Sequence, residues 1–173
     1  MDDAPFRILG VDPGLNITGY AMLIAGGRRL QVHEAGIIRG KSRGSLTARV
    51  AEIHHGMTDV IQALHPAVMA LEQLYSHYQR PRTAILMGHA RGVICLAAAQ
   101  AGVAVNHYNA TQIKRMLTGN GRAPKAQVQR AVMRELDLPQ LPEPPDVADA
   151  LAIAMCHYYL QAKRDLLEQQ RGA

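Results

Sequence analysis

The chain has 173 residues, 48% of them hydrophobic, which suits one domain (1–173, core about 6–164) and argues against disorder. No apolar run reaches the roughly 18 residues a membrane span needs, and the acidic start Met1-Asp2-Asp3-Ala4-Pro5 is no export signal. The net charge of +5 is unevenly placed: from Gln73 to Arg134 there is no Asp or Glu, yet nine Lys and Arg, a one-signed stretch suited to phosphate.

Residues 6–11 read as a buried strand, too short and continuous for an amphipathic helix. Pro13-Gly14 is a turn. Strands are expected over 17–25 and 29–38, forming with the first an antiparallel meander. A loop covers 40–44. Leu46, Val50, Ile53, Met57, Val60, Ile61 and Leu64 recur at helical spacing, so a helix covers 46–64, stopped by Pro66. Val68-Met69-Ala70-Leu71 is a fourth strand ending at Glu72. A helix between two strands implies a parallel crossover.

After a loop at 73–82, a helix covers 83–101, and Val103-Ala104-Val105 is a fifth strand. Helices over about 111–118 and 125–136 follow. A Pro-rich link at 139–145 leads to a last helix from Asp146 to about Arg164, and a polar tail is expected to fray. Cys95 and Cys156 sit in apolar helical surroundings and read as reduced core residues of a cytoplasmic protein. The element order makes an α/β fold, a mixed five-stranded sheet flanked by helices.

The acids are the candidate chemistry. Asp12 ends the first strand and Glu72 the fourth; in parallel neighbours both emerge at the sheet edge where open α/β sheets bind ligands. Asp146 and Asp149, three apart, share a helix face. Ala148, Ala150, Ala152 and Ala154 let that helix approach a sheet closely. Singly, Asp146 fits a helix N-cap and Glu72 could pair with a buried Arg. Together, the four repel unless a cation joins them, and oxygen-only donors suit Mg²⁺ or Mn²⁺. His54 and His55, adjacent on a helix, diverge and form no zinc set. Tyr75 and Tyr78 offer faces for unstacked bases, and Arg80 and Arg82 offer phosphate contacts.

Five motifs, in order, carry a family resemblance. They are Ile8-Leu9-Gly10-Val11-Asp12-Pro13-Gly14 with Thr18-Gly19-Tyr20; Leu71-Glu72-Gln73; Gly88-His89-Ala90-Arg91-Gly92; Lys125-Ala126-Gln127-Val128-Gln129; and Asp146-Val147-Ala148-Asp149-Ala150-Leu151-Ala152. Over residues 7–160 the chain resembles the RuvC Holliday-junction resolvases. The resemblance implies an RNase H-like fold and a homodimeric endonuclease with two Mg²⁺ ions per site, replaceable by Mn²⁺, held by Asp12, Glu72, Asp146 and Asp149. It implies catalytic lysines at Lys114 and Lys125 and a RuvA–RuvB branch-migration complex as partner, while the acid-free basic stretch adds Arg115 and Arg122 as expected DNA contacts. The position where the family often has Phe is Tyr75, and the loop at 76–82 departs from the family pattern. Gly88, Arg91 and Gly92 are expected at the dimer interface, although Arg91 could make an internal contact.

Three other readings compete. An actin-like ATPase needs a second Asp-x-Gly hairpin and a nucleotide lobe, and the chain has neither. A non-catalytic branched-DNA module leaves the full acid set unexplained. A related nuclease with another substrate is separable by comparing junction, duplex and RNA–DNA hybrid.

Overall fold

The computed structural model describes residues 5–26, 29–40, 43–74 and 81–171. Strands β1 (Phe6–Asp12), β2 (Ile17–Gly26) and β3 (Arg29–Arg39) precede helix α1 (Leu46–Leu64), strand β4 (Val68–Glu72) and helix α2 (Pro81–Gln100). Strand β5 (Ala104–Tyr108) and helices α3 (Ala110–Thr118), α4 (Lys125–Glu135) and α5 (Pro145–Arg171) complete the order. The sheet runs β3-β2-β1-β4-β5. The first three strands form the expected antiparallel meander, and β4 and β5 add in parallel beside β1.

Both sheet faces are covered, which explains why β1 is apolar without alternation. Ile8, Leu23 and Ala70 meet α3, α4 and α5 through Ile113, Val128, Val132 and Leu151. Leu9, Val11, Met22, Met69 and Leu71 face α1 and α2 through Ile53, Met57, Ile61 and Ile94. Side chains along a strand alternate between faces. Positions 8, 10 and 12 of β1, and 68, 70 and 72 of β4, therefore share the α5 side.

Two boundaries differ from the sequence reading by three residues or more. β5 reaches Tyr108 because Asn106 and His107 extend its pairing with β4; these polar residues hide the strand, since an edge strand need not be apolar throughout. α5 continues to Arg171, where a polar tail was expected. Its last turns are exposed but made of good helix formers, and Gln161 Nε2 donates to Asp165 Oδ1 at 2.8 Å. Among the described residues no helix is long and apolar enough to cross a membrane.

A buried polar pair ties α5 to β5: Tyr108 Oη lies 2.7 Å from His157 Nδ1, and His157 is 4% exposed. Burial, then the Arg164 charge, lowers the His157 pKa; burial and Arg91 lower that of His107. Above about pH 6.5 both histidines are neutral, folded or unfolded. Below it the unfolded chain takes up protons first, so stability falls as pH falls. We expect His157→Gln to flatten thermal stability against pH below about 6.5; an unchanged slope in parallel melts would show that His157 adds nothing to it.

Candidate active site

The turn after β1 is locked locally. The Thr18 hydroxyl, fully buried, donates to the Gly14 carbonyl at 2.8 Å, and the Gly14 amide donates back at 3.3 Å. A Cβ on Gly14 would stand 2.1 Å from the Ile17 carbonyl oxygen, so the reversal needs glycine. Gly40 N–H donates to the Asn16 carbonyl at 3.0 Å and anchors the far side of the turn. Asp12 is thus delivered from a rigid strand and a closed turn.

Its neighbours arrive by register. Gly10 pairs with Ala70 and Val11 with Leu71, so Asp12 and Glu72 come next on adjacent strands, roughly 4.8 Å apart by backbone. The first turns of α5 bring the other acids. A Cβ on Gly19 would lie 2.2 Å from the Asp146 carbonyl oxygen, and one on Gly10 2.1 Å from that of Ala150. The helix backbone rests directly on two side-chain-free positions of β1 and β2. Asp146 lies in the first turn of α5, where the helix dipole favours a carboxylate.

The four acids feel one another. Asp12 and Glu72 share a side-chain hydrogen bond. Burial, the charges of Glu72 and Asp149, that hydrogen bond and Asp146 push the Asp12 carboxyl up to about 8. Burial also raises Glu72; its bond from Asp12 lowers it, Asp149 raises it, and Lys114 and Lys125 lower it. Burial and the neighbouring acids thus favour a proton on the Asp12–Glu72 pair.

Lys125 begins α4, the end where the dipole disfavours a cation, and its Nζ reaches Asp149 Oδ2 at 2.6 Å. Burial works against its charge, but the bond and charge of Asp149, with Asp12 and Asp146, outweigh that and hold its pKa above the ordinary range. Asp12, Glu72, Asp149, Lys114 and Lys125 line one cavity of about 280 Å³ floored by Ile113, Val128 and Ile153. Asp146 acts on Asp12 from its edge.

Among the described residues no three His, Cys, Asp or Glu side chains converge tightly enough to hold an ion as they stand; Asp149 is drawn to the Lys125 ammonium. The donor chemistry nevertheless fits a hard divalent cation. All donors are carboxylate oxygens, and burial together with their mutual repulsion raises Asp12.

Arg91 is the residue whose place the sequence left open. It faces inward: Nε donates to the Glu72 carbonyl at 3.2 Å, and Nη2 lies 2.6 Å from His107 Nδ1. It therefore braces the strand end that carries Glu72 and leaves the exposed α2 face to Gly88 and Gly92. Glu72 does meet an Arg, through its backbone. A mid-helix Arg in an apolar stretch was the available signal, but its target lies 19 residues away in sequence. Arg82, Arg115 and Arg122 are exposed; Arg115 lines a larger cavity that also reaches Glu72. Tyr75, Tyr78 and Arg80 lie outside the described residues.

Comparison with known proteins agrees with this geometry. The family model of the crossover junction endodeoxyribonuclease RuvC matches residues 8–157. The RuvC of Rhodopirellula baltica is 59% identical over 153 residues, covering 88% of this chain and 86% of its own. That of Halothermothrix orenii is 45% identical over 150 residues, covering 87% and 90%. The structure of Thermus thermophilus RuvC in complex with a Holliday junction substrate superposes with a TM-score of 0.84 at 30% identity, covering 90% of this chain and 94% of its own. The yeast mitochondrial resolvase Ydc2, at 11% identity and a TM-score of 0.67, shares the fold. By sequence and by structure, the chain belongs to the RuvC family of crossover junction endodeoxyribonucleases.

Proposed function

We propose that this crossover junction endonuclease acts in the cytoplasm as a homodimer on four-way DNA, nicking two opposed strands symmetrically. Nucleases of its family are metal-dependent; here Asp12, Glu72, Asp146 and Asp149 would hold two Mg²⁺ ions, with Mn²⁺ able to replace them. The observation that carries this reading is the shared cavity of Asp12, Glu72 and Asp149 beside Lys114 and Lys125. Bound there, the ions supply an activated water and stabilise the leaving 3′ oxygen.

The chain's own residues do the rest. Asp12, on which the charges of the other three acids act, would be the ligand that links them. Lys114 and Lys125 face the charge that builds on the phosphate, and Asp149 keeps Lys125 protonated. Asp146 and Asp149 orient the water. The products are a 5′-phosphate and a 3′-hydroxyl.

The second protomer docks on α2. Its outer face shows Ile85 at 63% and Leu96 at 49% exposure, and among the described residues a Cβ on Gly88 or Gly92 would meet nothing within 4 Å. Glycine there serves a close neighbour from outside. The RuvA–RuvB branch-migration complex is the expected partner on the junction.

The test compares a four-way junction, its duplex arms and an RNA–DNA hybrid, in Mg²⁺ and in EDTA. Paired nicks in the junction alone, lost in EDTA, are expected. Equal cutting of plain duplex, or cutting in EDTA, would overturn the proposal.

A further inference from the structure

A cavity of about 1210 Å³ lies between α2, α3 and α5 and shares Glu72 and Lys114 with the small acid pocket. Among the described residues its cations are Lys114, Arg115 and Lys163, and Glu72 is its one carboxylate. Met87, Met116 and Leu160 add apolar surface that competes for no charge. Lys163 comes from the part of α5 that continues past the buried stretch ending at His157. Leu160 and Lys163 are three apart, so one helix face presents both to the channel. Among the described residues no ion pair engages Lys163.

We infer that the C-terminal turns of α5 form the outer wall of the path taken by the DNA strand beyond the cut, with Lys163 as a phosphate contact. Lys114 lines both the acid pocket and the channel, and Arg115 and Lys163 line the channel with it. A strand whose scissile phosphate sits at Asp12 and Glu72 has its next phosphates within this one-signed corridor. Each ammonium that neutralises a phosphate releases condensed counterion, which gives the contact a salt signature. This rests on the proposed site only for the position of the cut; the contact itself is a binding property.

Junction binding is measured in EDTA by fluorescence anisotropy from about 50 to about 200 mM salt for the wild-type chain, Lys163→Ala, Lys163→Arg and Arg171→Ala. Lys163→Ala should lower affinity and make the log–log salt slope shallower by about 0.9 per lost contact. Lys163→Arg should restore the slope. Arg171→Ala, at the helix end and lining no described cavity, should leave it unchanged. A wild-type slope in Lys163→Ala overturns the inference, and so does an equal change in Arg171→Ala, which would mark diffuse charge. Cleavage by Asp12→Asn, scored in parallel, would instead defeat the reading of the acid site and leave the salt result standing.

Discussion

Asp12→Asn is expected to cut a four-way junction in Mg²⁺ at about a thousandth of the wild-type rate or less, a loss of ~4 kcal/mol of transition-state stabilisation, while binding the junction normally. The amide keeps the size of the side chain but removes the charge on which the other three acids converge. Single-turnover cleavage with gel-shift binding checks this. Residual cutting above about a tenth of wild type would remove Asp12 as the shared ligand. A second readout follows from the burial and acid–acid repulsion that push the Asp12 carboxyl up to about 8. Deleting one of four mutually repelling acids should raise the melting temperature in EDTA, and Mg²⁺ should narrow the gap by stabilising only the wild type.

The second large effect acts through the backbone. In Gly19→Ala the new methyl would stand 2.2 Å from the Asp146 carbonyl oxygen and 2.6 Å from its carbon. Both contacts are backbone, so no side chain can turn aside. The first turn of α5 must lift, which costs about 1–3 kcal/mol of stability. It also carries Asp146 and Asp149 away from Asp12, and a displacement of about 1 Å can cost 10²-fold in rate. Activity is expected to fall by about that factor even where the protein is fully folded. Gly26→Ala is the control, since among the described residues its methyl would meet only Pro5, at 3.6 Å. A Gly19→Ala chain with wild-type melting and cleavage would show that α5 is free to shift there.

Much of this site was open to a reader of the chain. The run from Ile8 to Val11 had to be a doubly covered strand, because it is apolar at both parities. Its terminal Asp, the matching Glu72 and the Asp146–Asp149 spacing marked an oxygen-donor cluster. The helix at 46–64 emerged with those bounds, since its apolar period and its terminators agree. Local chemistry failed where two signals conflicted. Asn106 and His107 masked the end of β5, and the polar composition of residues 165–171 concealed a helix held by good helix formers.

Residue types and their spacing alone determined which side chains could hold cations and which stretch could meet phosphate, because those properties belong to the residues themselves. Only the tertiary structure decided how these groups meet. The pairing of Asp12 with Glu72 depends on strand register, and the approach of Asp146 on two glycines of other strands. The brace from Arg91 to Glu72 and the place of Lys163 beside Arg115 join elements far apart in the chain. Such contacts are set by packing across the sheet, a property of all the elements at once, which no local window of sequence contains.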